Sequence, residues 1–157
     1  MRILALFLFC FQQAWCLNNC PQFWVPISGS CFALLHDKVA WASADEFCKD
    51  LGGYLAEITS VDENKGIINY LEAKNPTVKS VWLGGTDILH DGTWFWMHSK
   101  DPITFSAWVS GQPDNFHGEN CIHLNRYGSG TWGWNDYDCK TKLYGLCETD
   151  LQGPEFG

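Results

Sequence analysis

Apolar and polar positions divide the chain into two unlike halves. Residues 22–35 alternate around Ser28-Gly29-Ser30, which predicts a hairpin. From Val39 to Leu51 the apolar residues Ala40, Ala44, Phe47, Cys48 and Leu51 recur at helical spacing, and Gly52-Gly53 supplies a stop. Ser60-Val61-Asp62-Glu63 has the form of a capping box, in which a hydroxyl and a carboxylate satisfy the first free N–H groups of a helix. That helix is expected to run to about Leu71, with Ile67, Ile68 and Leu71 on its buried side, before Asn75-Pro76 ends it.

After residue 80 the helical period gives way to short runs rich in Trp and Gly. Val81-Trp82-Leu83-Gly84-Gly85 and Thr93-Trp94-Phe95-Trp96-Met97 are two of them, and Cys121-Ile122-His123-Leu124 and Tyr144-Gly145-Leu146-Cys147 read as strands. Residues 106–118 are rich in turn-formers and carry no period. Two helices followed by antiparallel strands around a long polar loop give an α+β fold. No internal repeat and no linker interrupts it, so the expected organisation is one domain with its core at about 20–148.

The first residues stand apart. Arg2, the apolar run Ile3 to Phe11, and small residues at Ala14 and Cys16 match a signal peptide over 1–16, leaving 17–157 as the mature, secreted chain. No later apolar run is long enough to anchor it in a membrane. Setting aside Cys10 and Cys16 leaves Cys20, Cys31, Cys48, Cys121, Cys139 and Cys147. In a secretory chain an even set reads as three disulfides, with 15 connectivities open. The closest pair, Cys139 and Cys147, is too far apart for the close cysteine pairs of a zinc site. A net charge of −8 makes nucleic acid an unsuitable partner.

The polar loop is where chemistry can sit. Gln112, Asp114 and Glu119 precede Cys121, and Asn135 and Asp136 precede Cys139. Carboxylates and amides without thiolate or imidazole form a hard-oxygen set suited to calcium, which takes 6–8 oxygens. The competing reading is a solvated acidic loop.

The order of motifs resembles the C-type lectin domain family over about residues 20–148. Trp41 and Cys48 fall in the first helical stretch, followed by Leu51-Gly52-Gly53-Tyr54-Leu55-Ala56. Trp82-Leu83-Gly84-Gly85, Asp91-Gly92-Thr93-Trp94, Gln112-Pro113-Asp114, Glu119-Asn120-Cys121 and Trp134-Asn135-Asp136 then match family elements in order, and Cys147 closes the frame. The resemblance implies disulfides Cys48–Cys147 and Cys121–Cys139, with the extra Cys20–Cys31 of the long form, and a cis peptide before Pro113. It implies a calcium ion on Gln112, Asp114, Glu119, Asn135 and Asp136, with two hydroxyls of one hexose completing the calcium shell. Gln-Pro-Asp exchanges amide and carboxylate relative to the mannose-type Glu-Pro-Asn, which implies galactose or N-acetylgalactosamine. The implied partners are glycans with such terminal sugars, including those of a microbial surface. The spacing from Gln112 to Glu119 is one residue shorter than is common in the family.

Around this set, Phe116 matches the aromatic position that stacks on galactose, with packing on its own domain as the bland alternative. His117 is a lesser sugar contact, and His123, in an alternating strand, reads as structural. Asp87 and Asp91 match positions for an auxiliary calcium, although Asn115 stands where an acid is common. Trp82, Trp94, Trp96 and Trp134 read as core. No catalytic role is expected. G-x-S-x-G, H-E-x-x-H and phosphate-loop patterns are missing from the sequence. The alternative within the same fold is a module that recognises protein or mineral surfaces. Such members commonly lose calcium-binding residues, whereas all five are kept here. No collagen repeat or heptad indicates an oligomer.

Overall fold

The computed structural model describes residues 20–128 and 130–151. The expected signal peptide and the tail after Leu151 lie outside the described residues. The hairpin forms from β1 (Val25–Ile27) and β2 (Ser30–Leu34). Its turn residues Ser28 and Gly29 both take positive φ, 48° and 102°, and Ile27 pairs with Ser30 across it. Two central residues at positive φ match the right-handed twist of the flanking strands.

Helix α1 spans Trp41–Asp50 and helix α2 spans Val61–Lys74. The buried stripe of α1 is Trp41, Ala44, Asp45 and Cys48. Phe47 and Leu51, expected inside, are exposed. Trp41 sets this rotation: its indole N–H donates to the Leu83 carbonyl at 2.7 Å, a buried anchor that turns the Phe47 side outward. In α2 the Ser60 hydroxyl accepts from Glu63 N at 3.2 Å. The returning Glu63 carboxylate takes the N–H of Thr59, not that of Ser60, at 2.7 Å. The capping box is therefore closed one residue earlier than the standard form. Ile67 and Leu71 are fully buried and Ile68 partly so.

Six further strands complete the fold: β3 (Tyr54–Leu55), β4 (Ser80–Thr86), β5 (Phe95–Trp96), β6 (Cys121–Arg126), β7 (Trp132–Tyr137) and β8 (Tyr144–Asp150). The sheet order is β1-β2-β8-β4-β6-β7, with β3 on β8 and β5 on β4. The expectation of antiparallel strands needs one correction. β4 and β8 pair in parallel, Val81 with Tyr144 and Trp82 with Gly145, so the sheet is mixed. This follows from the long connection between them, since parallel neighbours cannot be joined by a tight turn.

Alternation along the central strands explains their unbroken apolar runs. Val81, Leu83, Ile122, Leu124 and Leu146 join α2 residues Ile67 and Leu71 in one buried cluster. Trp82, Cys121 and Cys147 join α1 residues Trp41, Ala44 and Cys48 in another. Strands with both faces covered need no polar alternation. Gly84 permits a close approach of β3 to β4: a Cβ there would lie 2.5 Å from the Leu55 carbonyl. Trp134 sits at the centre of an edge-on aromatic group with Trp96, Phe105 and Trp108, at centroid distances of 5.6–5.8 Å. Trp82, Trp96 and Trp134 are buried, as expected of core, and Trp94 is half-buried against the same cluster. The three disulfides are Cys20–Cys31, Cys48–Cys147 and Cys121–Cys139. They are the pairs the resemblance implies.

Candidate metal and ligand site

The chain from residue 97 to 120 runs outside the strands and is tied to β7. Trp134 N donates to the Ala107 carbonyl at 2.8 Å, and Val109 N to the Trp134 carbonyl at 3.0 Å. Beyond this bridge the backbone bends sharply. Gly111, Asn115, His117 and Gly118 all have positive φ, and the Gln112–Pro113 peptide is cis. For Asn115 and His117 that left-handed geometry carries a steric cost, which the surrounding bonds must hold.

Those bonds come largely from one residue. Asp136 on β7 is fully buried. Its two carboxylate oxygens accept the N–H of Asp114 at 3.2 Å and of Asn115 at 2.7 Å. Asp114 in turn accepts the N–H of Phe116 at 3.1 Å and an amide hydrogen of Gln112 at 3.2 Å. Cys121–Cys139 fastens the strand after Glu119 to the chain after Asp136. Among the described residues, Asp114, Glu119 and Asp136 offer carboxylate oxygens that all lie within 4.8 Å of one another.

Three acids so close repel one another. Partial burial, then the Asp136 and Asp114 charges, raise the Glu119 carboxyl to about 7. The amides beside them show a common pattern. Gln112 gives its NH₂ to Asp114, Asn135 to His123 at 3.2 Å and Asn120 to the Gly118 carbonyl at 3.1 Å. In each of the three the side-chain oxygen is buried and has no hydrogen-bond partner. The remaining buried oxygen in that state among the described residues is Asp87 Oδ1. Leaving such an oxygen unpaired costs about 1–3 kcal/mol. Carboxylates drawn together and amide oxygens left free fit a hard divalent cation, and they do not fit a thiophilic metal.

Of the five residues that sequence reasoning singled out, the structure brings Asp114, Glu119 and Asp136 together and hydrogen-bonds Gln112 to Asp114, while Asn135 precedes Asp136 on β7 and its amide meets His123. Asn120 was passed over, and its adjacency to Glu119 in an acid-amide pair was the available signal. At the auxiliary positions, Asp87 is buried and accepts the Gly92 N–H at 2.7 Å. Its carboxyl is raised by burial and, among charges, by Asp91. Asp91 itself is exposed.

Phe116 does not pack into the domain. It is 62% exposed and meets the exposed His117 edge-on at 4.0 Å. His123 is buried, stacks on Tyr137 at 4.6 Å, and is lowered to about 4 by burial, so its imidazole is neutral.

The Lectin C-type domain family model matches residues 37–149. A perlucin-like protein of Mytilus galloprovincialis is 31% identical over 81% of this chain and 80% of its own length. The galactose-specific lectin nattectin of Thalassophryne nattereri is 31% identical over 85% of this chain and 82% of its own. Among solved structures, the herring type II antifreeze protein superposes with a TM-score of 0.74 at 31% identity, covering 85% of this chain and all of that one.

Proposed function

This chain belongs to the C-type lectin family, and from that premise we propose that it is a secreted, calcium-dependent lectin preferring galactose or N-acetylgalactosamine. The observation that carries the reading is the convergence of three carboxylates, with Gln112 bonded to one of them, together with buried, unpaired amide oxygens on Gln112 and Asn135. Gln112, Asp114, Glu119, Asn135 and Asp136 would hold the ion. Bound there, calcium supplies open coordination positions for two neighbouring sugar hydroxyls. Asp87, Asp91 and Asn120 are the candidate residues for an auxiliary ion, and the free oxygens of Asp87 and Asn120 support it.

The protein's own side chains then decide which sugar fits. An ionised Asp only accepts hydrogen bonds, whereas Gln both donates and accepts. With Gln112 before Pro113 and Asp114 after it, the donor and acceptor are placed for a galactose-type hydroxyl pair. The likeness to a lectin named as galactose-specific supports this preference. Phe116, held out at the rim, would cover the apolar face of the ring. One shallow site binds a monosaccharide weakly, so glycan surfaces, microbial ones included, would be engaged through several copies.

The likeness to an antifreeze protein favours a second reading, in which the same loop meets a mineral or protein surface rather than sugar. A glycan array run with calcium and with excess chelator separates the two. Calcium-dependent signal on terminal galactose-type glycans is the expected result. Chelator-resistant retention, or no glycan signal beside calcium binding, would overturn the sugar reading.

A further inference from the structure

The side chain of Asn135 has two nearly isosteric ends, of which only the oxygen can face a cation. What selects that end is buried one strand away. His123 on β6 is the cross-strand partner of Asn135 on β7. Its Nδ1 lies 2.6 Å from the Ser80 hydroxyl on β4, and its Nε2 lies 3.2 Å from Asn135 Nδ2. The imidazole is 5% exposed, stacks on Tyr137 with an interplanar angle of 18°, and meets Trp82 at 6.0 Å. Ring rotation is therefore restrained from both sides.

Resting on the calcium-lectin reading, we propose that His123 is a positioning residue that fixes the Asn135 amide with its oxygen free for the metal. A neutral imidazole has one donor nitrogen and one acceptor nitrogen. Because Asn135 offers its NH₂, Nε2 must accept, and the proton then resides on Nδ1. The Ser80 hydroxyl takes that proton as an acceptor. The opposite tautomer would donate from Nε2 to the Asn135 oxygen and leave the NH₂ as the free end. That end cannot bind a cation. The unpaired Asn135 Oδ1 is the structural trace of the first arrangement. Partners of this kind commonly control metal affinity without touching the metal.

Two measurements test the relay. In isotope-labelled wild-type protein, long-range proton–nitrogen spectra read the tautomer directly. A protonated Nδ1 and bare Nε2 are expected, and a protonated Nε2 overturns the proposal whatever the variants do. Calcium titration then compares His123→Phe, which keeps a ring against Tyr137 but offers no acceptor, with His123→Gln, whose amide oxygen can replace Nε2. The expected result is an affinity loss of about tenfold or more in the first and substantial recovery in the second, at matched melting temperatures of the calcium-free proteins. Unchanged calcium affinity in His123→Phe refutes the positioning role and leaves the lectin reading intact. Wild-type protein that binds no calcium refutes both.

Discussion

Glu57, Glu63 and Glu148 are buried acids committed to the chain itself. Glu57 accepts the N–H groups of His98 and Ser99, Glu63 that of Thr59, and Glu148 that of Glu57. Around the cis-proline loop the order is reversed. There Gln112, Asn120 and Asn135 spend their NH₂ groups on protein acceptors and keep buried oxygens unpaired, while three carboxylates crowd together. Residues of similar chemistry thus serve the fold in one place and await something outside the chain in the other. The teaching lies in the donors. Backbone N–H groups answer buried carboxylates in both places, Glu57 in one and Asp136 in the other, so what sets the site apart is the amide oxygens that no donor answers.

The sharpest way to break this contrast is to neutralise one acid in each region. Asp136→Asn removes a buried charge and one of the two carboxylate acceptors that hold Asp114 and Asn115, so calcium affinity should fall by about 100-fold or more. Glu57→Gln weakens the hold on His98 and Ser99, and should cost about 1–3 kcal/mol of stability while leaving calcium affinity unchanged. Paired calcium titration and thermal melting check both. Equal effects of the two variants on both readouts would dissolve the contrast.

A smaller change sharpens it within the loop. Gln112→Glu combined with Asp114→Asn keeps three carboxylates near the metal but exchanges donor and acceptor. Calcium should be retained and the preference should move toward mannose-type sugars, as competition on a galactose matrix would measure. Phe116→Ala tests the exposed ring separately. It should weaken galactose by about 5- to 30-fold, the loss of roughly 1–2 kcal/mol of buried apolar contact, without altering calcium binding. Parallel sugar and calcium titrations distinguish this from a collapsed loop, in which both affinities fall.

The smallest effect is in pH. Glu119 and Glu148 are each raised to about 7, from an ordinary value of 4.5. Between those values the folded, calcium-free protein keeps protons that the unfolded chain has lost, so these two groups make stability fall as pH rises. His123, lowered to about 4 from 6.5, acts in the opposite sense below 6.5. Melting each variant beside the wild type between about pH 4.5 and 8 therefore reads the glutamates against a shared His123 contribution. Glu119→Gln and Glu148→Gln should each flatten the slope there. Only Glu119→Gln should also flatten the pH dependence of calcium affinity, because Glu148 is committed to the chain itself.

The elements most readable in the sequence were those with local signals. The hairpin turn, the Ser60 cap and the strand at Val81 announce themselves through residue type and spacing. β3 and β7 did not. β3 has only two residues, and β7 interleaves Trp132, Trp134 and Tyr137 with Gly133, Asn135 and Asp136, so its polar content disguises a strand. The face of α1 was misread because the Trp41 indole bond to Leu83 crosses to a distant strand and leaves no mark on helical period. The parallel β4–β8 pairing is likewise a property of topology. At the candidate site, the three acids that converge, Asp114, Glu119 and Asp136, were legible from motif order. The free ends of the amides and the link from Asn135 through His123 to Ser80 join three strands and have no sequence signal.

The central claim is that the unpaired oxygens and crowded carboxylates await calcium, and isothermal calorimetry in two buffers of different ionisation enthalpy tests it most directly. At pH 7 calcium should bind saturably and expel a fraction of a proton from Glu119, so the observed heat should differ between the buffers. No saturable calcium heat in either buffer would contradict the account.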